Sequence, residues 1–261
     1  MHHQIDSLAY GNKLRSIFPE HKLIFALSLF ILGYLAPMYI SILISVWLIL
    51  WIVVYAGIPF VTYSQLLAIP FGFWLISLPA LIFGVSISLS HVQQDIIFSV
   101  PLGNFFIYLS RQGITQAITI LARSWCLTSC MYFIVLTVPL GEVIAVLQKC
   151  KCPSLLTDLL ILMYRFIFLL TATASELITA QKSRFGYINW RRGIYSLSLA
   201  IAQLLRQTLE NYRQISLGLK SRGFKGELRT WHSRRYQKNW RYIIEAFAGY
   251  SFLLVLTINH Y

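Results

Sequence analysis

The sequence predicts an all-α, polytopic integral membrane protein: about five transmembrane helices, with a cytoplasmic block of long amphipathic helices between the fourth and the fifth. Three observations predict it. The first is composition. Of the 261 residues, 57% are hydrophobic and 12% are charged, against about 25% charged in a soluble domain, and mean hydropathy is +0.65. The second is a series of apolar runs bounded by proline or glycine, several near the roughly 20 residues a helix needs to cross hydrocarbon. The third is the placement of charge. The formal net charge is +13, and residues 181–241 hold fourteen of the 22 Lys and Arg, with Glu210 and Glu227 as their acids. That segment is net +12; the remaining eight basic and seven acidic residues leave +1. Such a segment stays on the cytoplasmic side.

Residues 1–21 are polar, with Lys13 and Arg15, and show no small-residue cleavage pattern of a signal peptide. His2 and His3 are expected to be solvated. Runs 23–36 and 38–56, parted by Pro37 and closed by Gly57 and Pro59, predict a tight hairpin whose first helix is short for a span. Run 65–89 predicts a third span, kinked at Pro70 and Pro79, which remove backbone donors. Residues 90–113 include Asp95, Pro101 and Gly103 and predict an outside connection with a short interfacial helix. Run 114–138 predicts the fourth span, ended by Pro139. Arg123 lies inside it, either at the membrane interface or paired within, because an unpaired intramembrane charge is costly.

Residues 140–151 read as a short amphipathic helix, and Cys152-Pro153-Ser154 breaks it. Residues 155–180 begin apolar but contain Asp158, Arg165 and Glu176, which predicts a long helix packed under or partly into the bilayer without a full crossing. From 191 to 222 the pattern is strongly amphipathic. Ile194, Leu197, Ile201, Leu204, Leu205, Thr208, Tyr212, Ile215 and Leu219 follow the i, i+3, i+4 rule. Leu197, Ile201, Leu204, Leu205 and Thr208 of this stripe are expected to pack against other helices of the chain. A basic linker then leads to the last span, 242–258. The organisation expected is a four-span region (1–139), a cytoplasmic region (140–241) and a C-terminal transmembrane helix (242–261), with the N-terminus inside and the C-terminus outside.

Two short runs stand out in the basic segment: Lys182-Ser183-Arg184-Phe185-Gly186 and Lys220-Ser221-Arg222-Gly223. Each places an arginine at a predicted helix end, 38 positions from the other. Glycine suits the left-handed residue that closes a helix, and arginine suits the negative end of the helix dipole. One such run reads as an ordinary cap; two in one basic segment of a membrane protein point further.

Enzymatic signatures are missing. There is no Gly-X4-Gly-Lys-Ser phosphate loop, no Gly-X-Ser-X-Gly elbow, and no acidic pair or His pattern of metal-ligand spacing. No catalytic residue and no metal ligand is assigned. Cys126, Cys130, Cys150 and Cys152 are expected as free thiols, since a Cys-X-Cys pair lacks zinc spacing.

The runs at 158–168, 180–187 and 219–226, together with the opening Asp6-Ser7-Leu8-Ala9-Tyr10-Gly11-Asn12-Lys13-Leu14-Arg15, resemble the transmembrane T component of energy-coupling factor transporters, in its cobalt and nickel branch. That resemblance makes 140–241 a coupling domain. Two helices of the family end in Ala-Arg-Gly-like motifs that dock on two ATP-binding cassette ATPase subunits. The motifs here are Ser183-Arg184-Phe185, with Gly186 one place late, and Ser221-Arg222-Gly223. The resemblance implies no cofactor on this chain, with ATP and Mg on the partner ATPases. It also implies a separate substrate-binding membrane subunit (S) that captures cobalt or nickel, no nucleic acid, and residence in the bilayer of a bacterial inner membrane. A conventional ABC importer permease and an intramembrane enzyme remain the alternatives; the Glu-Ala-Ala-like loop of the former is not found.

Overall fold

The computed structural model describes residues 8–86, 96–102, 105–223 and 240–259. They divide between two compact units, Met1–Pro139 with Arg234–Tyr261, and Leu140–Ser233.

The first unit is built from α1 (Pro19–Leu35), α2 (Met38–Leu50), α3 (Phe60–Ile82), α4 (Arg111–Thr137) and α8 (Trp240–Ile258); α2 runs on through a π-helical turn, Trp51–Tyr55. Prolines set its phrasing. Pro19 is the first residue of α1, and Pro37 and Pro59 are the N-caps of α2 and α3. A fixed φ and a missing N–H cost nothing at a helix start. Pro70 and Pro79 lie inside the continuous α3.

α1 and α4 run antiparallel. Lys22 Nζ donates to Thr137 O at 3.1 Å, and a Cβ on Gly33 would stand 2.6 Å from Cys126 Sγ. α3 is railed to α4 by Tyr63 Oη and Ser129 Oγ at 2.8 Å, and by Trp74 Nε1 donating to Ala117 O at 2.9 Å. Leu29, Ile40, Ile44, Leu48, Ile52, Cys126, Cys130, Phe133 and Leu136 form the buried centre. α8 closes on α2, where Gly249 leaves room for the Trp47 ring and Tyr242 meets Tyr55 at 5.6 Å.

One end of this unit collects the polar caps. Asn12 Nδ2 donates to the carbonyls of Leu136 and Thr137, each at 3.2 Å, beside the Lys22 bond, so the carbonyl end of α4 is satisfied by the N-terminal segment. Lys13 N donates to Ala56 O at the same end, and Tyr55 brings the start of α8 there. The chain therefore leaves this unit at Pro139 and returns at Trp240 on one side. At the other end Arg123 stands over the Tyr34 ring at 5.8 Å, two residues before the turn at Ala36 and Pro37. The Tyr34 ring is the contact that the structure gives this intrahelical cation.

Helical architecture is as expected, but one connection differs. Where a short interfacial helix was expected, β1 (Phe83–Ser86), β2 (Ile96–Leu102) and β3 (Phe105–Ser110) form an antiparallel sheet in the order β1-β3-β2. Its strands are rich in Phe, Ile, Val and Tyr, which suit a pleated surface. The third span accordingly ends at Ile82, short of the expected 89.

Among the described residues five helices are long and apolar enough to cross a membrane: Met38–Tyr55, Phe60–Ile82, Arg111–Thr137, Ser154–Ser183 and Trp240–Ile258. The number matches the expectation and the membership does not. α1, at 17 residues, is about 25 Å long and below that length, whereas Ser154–Ser183, read from its charges as not crossing, qualifies.

The second unit holds α5 (Leu140–Lys149), α6 (Ser154–Ser183) and α7 (Trp190–Ser221). The expected packing of the α7 stripe is met in part: Leu204, Thr208, Ile215 and Leu219 are half-buried, whereas Leu197, Ile201 and Leu205 are 49%, 58% and 61% exposed, and Ala200 is the buried residue of the helix. Periodicity defines an apolar face; it does not say what covers it. All four cysteines are free, Cys126 and Cys130 buried in α4 and Cys150 exposed after α5.

Candidate functional site

The candidate site is a pair of helix ends. α6 ends at Ser183, with Arg184 as its C-cap at φ −98° and ψ 17°. Phe185 follows at φ 58°, in the left-handed region. The amide of Gly186 donates to Gln181 O at 2.9 Å and that of Phe185 to Lys182 O at 3.0 Å. This is the six-to-one and five-to-two bonding of a Schellman cap. α7 ends at Ser221, with Arg222 as its C-cap at φ −90° and ψ 9°, and Gly223 follows at φ 73° with its amide on Lys220 O at 3.1 Å.

The two motifs therefore occupy the same positions on the two helices: serine as the last helical residue, arginine as the C-cap, and the third residue left-handed. Glycine fills that third place only in the second motif. In the first, a phenylalanine adopts the conformation, and Gly186 serves another need. A Cβ on it would stand 2.8 Å from Ser196 Oγ and 2.9 Å from Gln181 O, so a larger residue would break the close approach.

Ser196 and Gln181 show what the close approach secures. Gln181 Nε2 donates to Ser196 O at 2.8 Å, Ser196 Oγ donates to Gly186 O at 2.8 Å, and Tyr187 Oη donates to Gln181 Oε1 at 2.7 Å. The end of α6 is thereby tied to the second turn of α7. Sequence reading missed Ser196, because nothing in its spacing from the motif marks it.

Both arginines are exposed, and among the described residues no side-chain partner holds either guanidinium. Lys182 and Lys220 lie in the last turns beside them. The motif serines are turned inward on their own helices: Ser183 Oγ donates to Thr179 O and Ser221 Oγ to Gly218 O, each at 2.9 Å. They supply small size and leave the guanidinium as the free donor of each end. At 1.5 Å per residue the 32 residues of α7 set the two ends about 48 Å apart. Chemically this is two planar cationic forks on one helical frame, suited to bidentate pairing with carboxylates. Among the described residues no three His, Cys, Asp or Glu gather to hold a metal ion.

A family model described as CbiQ, cobalt transport protein, matches residues 11–232. The chain belongs to the CbiQ family. The match spans both arginine motifs. The chain is 28% identical over 226 residues to the cobalt transport protein CbiQ of Salmonella typhimurium, covering 85% of this chain and 97% of that one. It is 30% identical over 135 residues to the CbiQ of Rhodobacter capsulatus, covering 52% and 55%. A protein of Methanocorpusculum labreanum, named as a fused cobalt transport protein CbiMQ, is 28% identical over 225 residues, which is 86% of this chain and 37% of that one. This CbiQ-family chain is a multi-pass membrane protein of the transporter kind.

Proposed function

We propose that this chain is the coupling component of an energy-coupling factor importer for cobalt, with nickel as the next candidate cargo. Arg184 and Arg222 dock on two ATPase subunits in the cytoplasm, and ATP-driven closure of those subunits moves the two helix ends. That motion is passed to a membrane subunit that captures the metal. ATP and Mg belong to the ATPases, and this chain is not itself an enzyme. One observation carries the reading: two exposed arginines hold the same C-cap position at the two ends of the α7 frame. Its relatives' names supply the cargo class, and the fused relative, of which this chain matches 37%, supports a further transporter part beside the CbiQ part.

The test is substitution of the two arginines. As plain caps each contributes about 0.3–1 kcal/mol through the helix dipole, and alanine would leave uptake largely intact. As interface anchors each removes about 2–5 kcal/mol of binding when truncated. Arg184→Ala and Arg222→Ala are expected to leave the subunit folded in the membrane and to weaken ATPase copurification. The double variant is expected to abolish metal uptake in vesicles, and lysine to rescue poorly because it lacks the planar fork. Normal assembly and uptake in the double variant returns both residues to ordinary caps.

A further inference from the structure

We infer that Phe185 makes the first arginine end an anchored contact, its ring seated in an apolar recess beside the carboxylate that receives Arg184. The inference rests on the coupling function proposed above and deepens the first of its two ATPase contacts.

The left-handed region is hindered for residues with a Cβ and open to glycine. A bulky residue there is an outlier. Phe185 and Lys151 are the non-glycine residues with positive φ among those described. Lys151 lies in the turn after α5, away from either arginine motif. Phe185 follows the motif arginine directly. The residue is 71% exposed, so the strained backbone gains little burial within the chain. Such a conformation persists only where surrounding structure holds it. Here the hydrogen bonds joining Gln181, Gly186, Ser196 and Tyr187 hold it.

Gly223 shows that the cap itself needs no ring. The backbone of the second end matches the first at the arginine and at the left-handed residue, which there is glycine. The ring at 185 is therefore an addition to the cap, aimed outward next to a free guanidinium. Large aromatic anchors in a recess, paired with an arginine, are the groups that dominate protein interfaces. The partner surface that complements this end is an apolar recess flanked by a carboxylate. A rigid, strained and aromatic end is suited to stay bound.

The experiment uses the full-length subunit in nanodiscs and the separately purified ATPase of the same transporter. Phe185→Gly and Phe185→Asn both suit left-handed backbone; Phe185→Tyr keeps the ring. Unfolding temperature and ATPase affinity are measured for each. The expected result is an equal or higher unfolding temperature for the glycine and asparagine variants, with affinity reduced roughly tenfold or more, and near-native affinity for the tyrosine variant. Native affinity in the glycine and asparagine variants overturns the anchor. A lower unfolding temperature in both also overturns it, because the ring is then part of the fold. The double arginine variant, run beside them, reports on the coupling reading separately: if it binds normally that reading fails, whereas native binding by the Phe185 variants alone removes only the anchor.

Discussion

The side-chain amide of Gln181 donates to the backbone carbonyl of Ser196 at 2.8 Å. This bond joins the last turn of α6 to the second turn of α7, and the Ser196 hydroxyl returns a bond to Gly186. Whatever displaces the Arg184 end therefore displaces α7, and α7 carries Arg222.

Gln181→Ala removes both bonds of that side chain, the one to Ser196 and the one from Tyr187. Each is partly exposed and contributes about 1 kcal/mol. The expected outcome is a modest fall in unfolding temperature with ATPase copurification kept, and uptake reduced relative to ATP hydrolysis. Unchanged coupling between hydrolysis and uptake would show that the tie transmits nothing.

Gly186→Ala places a methyl group 2.8 Å from Ser196 Oγ and 2.9 Å from Gln181 O. The cost expected for forcing such a contact is about 1–3 kcal/mol. Gly186→Ala combined with Ser196→Ala should recover part of it, since the closest atom is then gone. Thermal unfolding of the single and double variants measures this, and equal stability of Gly186→Ala and the native chain contradicts the close approach.

Chain topology yields a labelling prediction. Pro139 and Trp240 lie at one end of the first unit, and α7 is not among the helices apolar enough to cross. If α6 crossed alone, Cys150 before it and position 182 after it would face opposite sides. We expect both to face the cytoplasm, with the net +12 of residues 181–241. Exposed Cys150 and a cysteine at Lys182 should each resist an impermeant thiol reagent in intact cells and react after permeabilisation. Labelling of one and not the other would make α6 a full span.

Leu205 is 61% exposed on α7. Leu205→Glu should therefore leave the isolated subunit folded, with a stability change within about 0.5 kcal/mol. The loss expected is in assembly with the membrane partner or in lipid contact. A collapse of the isolated subunit would place Leu205 in a core that the structure does not show.

The solvent, the helical class, the basic segment and the register of the two arginine motifs are legible in the order of the residues. These are local or summed properties. A 12% charge content cannot clothe a soluble surface, and a proline marks a helix boundary wherever the chain folds next. Ser183-Arg184-Phe185 and Ser221-Arg222-Gly223 could be aligned because helix ends are specified within a few residues. Other features depend on distance in space and emerge once the chain is folded. Phe185, not Gly186, takes the left-handed place, because Ser196 and Gln181 crowd Gly186 from ten and five residues away. Arg123 belongs with the α1–α2 turn because Tyr34 lies beside it, 89 positions back in the chain. The apolar stripe of α7 was visible as a pattern, but a pattern of one helix does not encode its partner. The same limit holds for α6, whose length and apolar content permit a crossing that the common end of Pro139 and Trp240 argues against.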